Sequence, residues 1–217
     1  KIVTFMLNGR ETEVMVKPLT TLAKALREKL GFTATKCGCY EGNCGSCTVI
    51  FNGEPVLSCI LPVEEVEGQS VLTLEGITPA EGLHPLQQAF HENFAVQCGF
   101  CTPGMLMISK ALLDKNPHPS QAEIAEALSG NLCRCTGYDP IIAAVQQVAA
   151  GPVVLARVPL PAHDEPLAVG DSGGDPKRHL DARRLSARPA AFRAGIGYDL
   201  SRPAAIRAGL AHDEEAP

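Results

Sequence analysis

Cysteines at two kinds of spacing carry the chemistry that this sequence can perform. The first cysteine group combines a C-x4-C-x2-C run with a later cysteine: Cys39, Cys44, Cys47 and Cys59. The second cysteine group combines a C-x2-C pair with a later C-x-C pair: Cys98, Cys101, Cys133 and Cys135. Four thiolates at the first spacing are typical ligands of a 2Fe–2S cluster, and two sets of four use eight of the nine cysteines. The sequence therefore predicts two 2Fe–2S clusters and, with them, electron transfer.

Two other uses of cysteine compete with this interpretation. An odd total of nine cysteines argues against a pure disulfide framework, and no long apolar run of a signal peptide stands at the N-terminus. Structural zinc also prefers four thiolates, usually as two C-x2-4-C knuckles. The first cysteine group does not divide in this way, because three of its members lie in one glycine-rich loop. The second cysteine group, taken alone, is compatible with zinc.

The loop of the first cysteine group suits an anionic cluster. Glycines precede or separate its cysteines, at Gly38, Gly42 and Gly45. Glycine allows tight turns and lets backbone N–H groups approach the cluster sulfurs. Cys37, the ninth cysteine, fits the spacing less well than its neighbour Cys39. We therefore predict that Cys37 is a small buried residue beside the cluster, with an exchanged ligand role as the alternative.

Short strands and one helix must position this loop. Five strands are predicted, over residues 2–7, 13–16, 48–51, 55–59 and 71–74. Asn-Gly pairs at 8–9 and 52–53 are hairpin turn signals. Between the hairpins lies a helix that begins with a threonine cap and stops at Gly31. This order predicts a ferredoxin-like β-grasp domain with a 2Fe–2S cluster over residues 1–77.

The pattern becomes helical after Pro79, and the strand signals end. Four helices are indicated by an apolar face of Leu86, Ala89, Phe90 and Phe94, by Pro103 in a first turn, by a Ser120–Glu123 capping box and by an Asp139-Pro140 start. The second cysteine group falls at helix N-terminal ends, where the helix dipole favours thiolates. The fold class is therefore α+β, with an all-α four-helix 2Fe–2S domain over residues 78–153 after the β-grasp domain.

Three stretches of the sequence together resemble a known family. Residues 36–48, 97–104 and 130–138 are similar, in this order, to the signature of the small iron–sulfur subunit of molybdenum hydroxylases. This is the family of xanthine oxidase, aldehyde oxidoreductases and carbon monoxide dehydrogenase. The resemblance covers about residues 1–152. Cys37 departs from the family pattern, in which a residue without a thiol is common at that position.

The resemblance implies an electron-transfer subunit of a molybdenum-containing hydroxylase or dehydrogenase. The second cluster would lie next to the molybdopterin cofactor of a large partner subunit, with Gln97 contacting the pterin and Cys135 as the nearest cluster ligand. The first cluster would pass electrons to FAD in a further partner subunit or to another acceptor such as a cytochrome. The substrate-oxidising centre belongs to the partner, so no catalytic residue is expected in this chain.

Residues 154–217 are predicted to form an extended or irregular C-terminal tail. They contain no cysteine and no sustained helical stripe, and they are rich in Ala, Arg, Pro and Gly. This composition is typical of disorder. Apolar residues separated by turns, such as Phe192, Tyr198 and Leu200, instead favour a segment that becomes ordered by wrapping a partner. Docking of a cytochrome is a further alternative.

Composition narrows the remaining classes of partner. A net charge of −5 and few aromatic residues argue against nucleic-acid binding, and no apolar stretch is long enough for insertion into a membrane. The sequence has neither a dinucleotide-binding glycine motif nor a P-loop. Eight reduced thiolate ligands indicate assembly in the cytoplasm, with export of the folded complex on a partner's signal as the alternative.

A stand-alone two-cluster ferredoxin is the second functional hypothesis. The helical cysteine domain argues against it, because a simple electron carrier does not need that domain. His84 and His91 share one predicted helical face and suggest a metal pair, but we favour surface or interface histidines. The sequence thus predicts a subunit whose role depends on partner chains.

Overall fold

The computed structural model describes residues 1–151, so the predicted tail over residues 154–217 lies outside the described residues. Five strands are present: β1 (Ile2–Leu7), β2 (Arg10–Met15), β3 (Thr48–Phe51), β4 (Glu54–Leu57) and β5 (Ser70–Leu72). The helices are α1 (Leu22–Lys24), α2 (Leu74–Ile77), α3 (Pro85–Glu92), α4 (Thr102–Lys115), α5 (Gln121–Leu128) and α6 (Asp139–Ala150). A π-helical turn, Ala25–Lys29, continues α1, and a 3-10 turn, Val63–Val66, precedes β5.

The strands form one mixed sheet in the order β2-β1-β5-β3-β4. Neighbouring strands are antiparallel except β1 and β5, which are parallel. Both predicted Asn-Gly turns are confirmed: Asn8 and Gly9 have φ of 53° and 79°, and Asn52 and Gly53 have φ of 48° and 82°. Two consecutive residues in the left-handed region make type I′ turns, which match the twist of a hairpin. The mixed sheet with its packed helix fits the predicted ferredoxin-like domain.

Apolar side chains cover both faces of this sheet. Leu22 and Leu26, from α1 and the π-helical turn, pack with Val49 and Val71 on one face. The next residues along the two strands, Ile50 and Leu72, point to the other face because side chains alternate in a strand. They pack there with Ile77, Met107 and Ala111. Helix α4 therefore forms part of the core of the sheet.

The other side of α4 belongs to a core made only of helices. Met105 and Leu113 are buried there with residues of the other three long helices: Leu86 and Phe90 of α3, Ile124 and Leu128 of α5, and Ile141, Ala144 and Val145 of α6. The predicted capping box at Ser120 and Glu123 is confirmed, because each side chain bonds the other residue's backbone N–H. In the described part of the chain, no helix combines the length and the apolar character needed to cross a membrane.

Two predictions about α3 were wrong. Phe94 does not share the buried face of Leu86 and Phe90: the helix ends at Glu92, and Phe94 has a φ of 53° and is 82% exposed. His84 is not a surface histidine, because it is buried and its Nδ1 accepts a hydrogen bond from the N–H of Leu86. It caps the helix, and Gln87 completes the capping box.

Candidate metal centres

Hydrogen bonds fix the loop of the first cysteine group just before its first cysteine and near its end. Before the loop, the Arg27 guanidinium donates hydrogen bonds to the carbonyl oxygens of Thr33 at 2.8 Å and Thr35 at 2.7 Å. Within the loop, the N–H of Lys36 donates to the carbonyl of Ser46 at 3.3 Å. These bonds close the loop at the point where β3 begins, so its cysteines meet beside the end of the sheet.

Backbone N–H groups converge on the sulfur of Cys39. The N–H groups of Glu41, Asn43 and Cys44 donate to this Sγ over 3.4, 3.3 and 3.4 Å. Partial burial disfavours the Cys39 thiolate, but the three backbone bonds and the Cys44 side chain outweigh it and lower the pKa of Cys39 to about 7. Such an arrangement stabilises a thiolate ligand, whose charge the N–H dipoles face. Positive φ at Tyr40 and at Gly42 turns the loop around this sulfur.

The thiols of the first cysteine group interact in two pairs. The Cys44 side chain helps to lower the pKa of Cys39, and the Cys59 thiol helps to raise the pKa of Cys47. The second pair is enclosed, with exposures of 1% and 5%. Burial, together with the Cys59 thiol, raises the pKa of Cys47 to about 12. Cys37 packs against this enclosed pair but is only half-buried, whereas a buried residue was predicted.

The second cysteine group also forms two pairs, Cys98 with Cys135 and Cys101 with Cys133. Cys101 is the residue that precedes α4, and Cys133 and Cys135 lie in the loop between α5 and α6. Burial and the Cys133 thiol raise the pKa of Cys101 to about 12. Cys98 and Cys135 are exposed, and the N–H of Phe100 lowers the pKa of Cys98. One pair is thus partly buried and the other lies at the surface.

The paired arrangement fits a two-iron cluster. All nine cysteines are free, and within residues 1–151 no three His, Cys, Asp or Glu side chains converge as they would around one metal ion. A single zinc ion draws four thiolates to one point, whereas a 2Fe–2S cluster divides four thiolates between two irons. The pairing of thiols in both groups is compatible with 2Fe–2S clusters, and the assignment of the eight ligands stays a prediction.

The two cysteine loops are in direct contact. The N–H of Leu132 donates to the carbonyl of Cys44 at 2.9 Å, and the buried Asn131 amide donates to the carbonyl of Gly45 at 3.0 Å. A Cβ at Gly45 would lie 2.5 Å from Asn131, and a Cβ at Gly104 would lie 2.4 Å from the Gly45 carbonyl. Only glycine fits at these two positions. We call this contact the loop junction; nothing in the sequence pattern of any one element had indicated it.

The two residues assigned to the pterin lie at the exposed edge of the second cysteine group. Gln97 is exposed and directly precedes Cys98, and Cys135 is exposed and paired with Cys98. Apolar side chains of Val96, Phe100 and Leu132 are also partly exposed around them. The contact of Gln97 and Cys135 with a pterin stays a prediction. His91 is exposed, and it shares no metal-binding group with His84 in the described residues.

Comparison with known proteins decides the family. Residues 1–90 match a family model described as a 2Fe-2S iron-sulfur cluster binding domain, and residues 73–146 match one described as a [2Fe-2S] binding domain. The nicotinate dehydrogenase small FeS subunit of Eubacterium barkeri is 51% identical over 140 residues, which are 64% of this chain and 89% of that subunit. The chain belongs to the small iron–sulfur subunits of the molybdenum hydroxylases.

Other small iron–sulfur subunits are similar over the same part of the chain. The gamma subunit of caffeine dehydrogenase from Pseudomonas sp. strain CBB1 is 45% identical over 151 residues, 68% of this chain and 90% of that subunit. A chain of quinoline 2-oxidoreductase from Pseudomonas putida 86 superposes with a TM-score of 0.67 at 46% identity, covering 69% of this chain and 92% of that one. The predicted family, its 2Fe–2S domains and its electron-transfer role within an oxidoreductase complex are confirmed.

Proposed function

We propose that this small iron–sulfur subunit relays electrons between two 2Fe–2S clusters across the loop junction. The ligands would be Cys39, Cys44, Cys47 and Cys59 for the first cluster and Cys98, Cys101, Cys133 and Cys135 for the second. When bound, each cluster accepts and releases single electrons. The chain supplies the ligands, the burial and the backbone donors that hold these groups at a fixed separation.

The loop junction is the observation that supports this relay best. Leu132 is bonded to Cys133, and its N–H donates to the carbonyl of Cys44 at 2.9 Å. A ligand of one site is thereby joined to a ligand of the other through covalent bonds and one hydrogen bond. Electronic coupling falls off more slowly along bonds than across gaps. Asn131 keeps the two loops from separating, because its amide donates to Gly45.

We base the partners proposed for the relay on the exposed residues around the two cysteine groups. A large molybdopterin-binding subunit would cover the edge that carries Gln97 and Cys135, with both residues directed at the pterin. The polar thiols there are rimmed by apolar side chains, as expected where a protein surface becomes buried on association. At the first cysteine group, exposed Tyr40 and Ile60 mark a surface for the onward acceptor, which would be an FAD subunit or a cytochrome.

We further propose two cluster-binding domains, a β-grasp domain over residues 1–77 and a four-helix domain over residues 78–153. Because α4 packs on both the sheet and the other helices, the two would act as one rigid support. Nine free thiols fit assembly in a reducing compartment such as the cytoplasm. The tail over residues 154–217 would wrap a partner subunit.

Low-temperature EPR with spin counting tests this function. The natively purified complex, reduced with dithionite, should give two distinguishable 2Fe–2S signals with about two spins per chain, and molybdenum should co-purify. One signal accompanied by zinc would contradict the ligand assignment. Two signals in a chain that purifies alone, without molybdenum, would support the stand-alone carrier.

A separate variant tests whether electrons pass between the clusters through the loop junction. Leu132→Pro removes the N–H that donates to Cys44, whereas Leu132→Ala keeps it and serves as the matched control. We expect freeze-quenched EPR to show normal amounts of both clusters but slower equilibration of electrons between them in Leu132→Pro only. Equal rates in the two variants would show that the hydrogen bond carries no electronic coupling.

A further inference from the structure

We propose that Cys37 is a reserve ligand of the first 2Fe–2S site and takes the place of Cys59 when that thiolate is lost. The inference rests on the proposed function, in which Cys59 is one of the four ligands of this site. It assigns a role to the ninth cysteine, which the relay does not use.

The position of Cys37 carries the inference. Its half-buried side chain packs against the buried cluster of Ala23 and the enclosed pair, Cys47 and Cys59. A third thiol therefore lies beside two of the four proposed ligands, although a 2Fe–2S cluster needs only four. Within this pair, Cys59 is the proposed ligand that lies outside the loop holding the other three.

The surrounding backbone allows the exchange. Cys37 lies in a stretch without helix or strand, between Lys36, whose N–H is bonded to Ser46, and Gly38. Glycine gives the chain conformational freedom on the side that leads to Cys39. Cys37 can therefore shift toward a vacated iron while Cys39 remains fixed by its three backbone donors.

The exchange is a ligand substitution without oxidation or reduction. The Cys37 thiol would release its proton to solvent, and its sulfur would bind the iron from which residue 59 is missing. Cys37 would then supply the thiolate that Cys59 supplies otherwise, and the charge of the site would be unchanged. The second cysteine group has no such reserve, because its four members and the five around the first site account for all nine cysteines.

Three variants of the full chain, purified with its native partners, test the reserve role. Cys59→Ala removes one ligand without offering another donor, Cys37→Ala removes the reserve, and the double variant removes both. Cys101→Ala is the matched control, since it removes a ligand where no fifth thiol exists. Iron content and EPR spin counts of the dithionite-reduced proteins are the readouts, and the signal of the untouched site in each sample reports correct folding.

We expect about two spins per chain for the wild type, Cys37→Ala and Cys59→Ala, and about one for the double variant and for Cys101→Ala. The first signal of Cys59→Ala should have shifted g values, because its ligand set differs. A spin count for Cys59→Ala no higher than for the double variant would overturn the proposal, and so would loss of the first signal in Cys37→Ala. A wild type without two signals would instead refute the proposed function itself.

Discussion

The two cysteine groups hold the same number of thiols in very different surroundings. In the first group, Cys47 and Cys59 are enclosed and the sulfur of Cys39 faces three backbone donors. In the second group, Cys98 and Cys135 are exposed. Hydrogen bonds to sulfur and solvent exposure both tune the potential of a cluster. We therefore expect this chain alone to enclose the first site, and a partner subunit to cover the exposed edge of the second.

The loop junction should be the most sensitive point, because both groups depend on it. Gly45→Ala places a Cβ 2.5 Å from Asn131 and 2.6 Å from the Gly130 carbonyl. We expect loss of both EPR signals and a free energy of unfolding lowered by more than about 3 kcal/mol. Gly137→Ala is the matched control: its φ is also +73° but its Cβ would meet nothing within 4 Å, so only about 1–2 kcal/mol of backbone strain applies. Equal losses in the two variants would show that the contact between the loops does not matter.

The second-largest effect should be a difference between the two cysteine groups in the rate at which a chelator removes iron. We expect a chelator to extract iron from the isolated full chain in two phases of equal size, with the second EPR signal lost first because Cys98 and Cys135 are exposed. In the complex with its partners, the fast phase should disappear. If the fast phase of iron extraction instead removed the EPR signal of the first site, the first site would be the more accessible of the two.

Arg27 should affect only the enclosed group. Arg27→Met removes the two donors to Thr33 and Thr35 but keeps the aliphatic stem. Because the guanidinium is partly exposed, we expect a loss of about 1–2 kcal/mol in unfolding free energy, with faster release of iron from the first site. Arg27→Lys keeps the charge without the forked geometry and should restore little. Full stability of Arg27→Met in chemical denaturation would contradict this role.

Mild acid should lower the stability of the helical region through His84. We expect this change to be the smallest of those predicted here. Burial, together with the adjacent Lys110, lowers the pKa of His84, and Asp114 partly opposes this. A histidine whose folded pKa is lowered stabilises the fold at pH above its unfolded pKa, and this stability is lost as pH falls through the range below about 6.5. The second EPR signal should therefore be the more acid-sensitive of the two.

His84→Asn tests that assignment. Asparagine is a good N-cap, so we expect a change of less than about 1 kcal/mol at neutral pH and a smaller acid loss of the second signal. An unchanged pH profile in thermal unfolding would show that another group titrates. Ser120→Ala, which removes the other capping box, should lower stability equally at all pH values above those at which Glu123 titrates, since Ser120 lowers the pKa of that carboxyl.

Local signals made much of this structure predictable. The two Asn-Gly turns and the capping box at Ser120 each depend on residues within a few positions of one another, and the structure has them where the sequence predicted them. Phe94 was misassigned because an apolar residue at helical spacing also occurs just beyond a helix end, where φ is positive. His84 was misassigned because histidine is an uncommon N-cap, and only the burial of α3 reveals that role.

The loop junction could not be predicted in the same way. Asn131 and Gly45 are 86 residues apart, and an asparagine before a cysteine pair is ordinary in any loop. The tight packing of Gly104 likewise depends on where α4 lies against the first loop. Such contacts depend on how whole helices and loops pack together, and the spacing of apolar residues along the sequence does not predict this packing. The contact of Gln97 with a pterin stays a prediction for a similar reason, since it depends on another chain.

The same separation along the chain bears on biosynthesis. All four cysteines of the first group are synthesised before residue 60 is added, but Gly104 and Asn131, which pack against that loop, are synthesised much later. Contacts between distant residues also form late in folding. A newly made chain thus contains all four proposed ligands of the first site before it contains the residues that cover this loop. We therefore expect iron and sulfide to reach the first site most readily in this interval, before α4 and the loop that follows α5 pack against it.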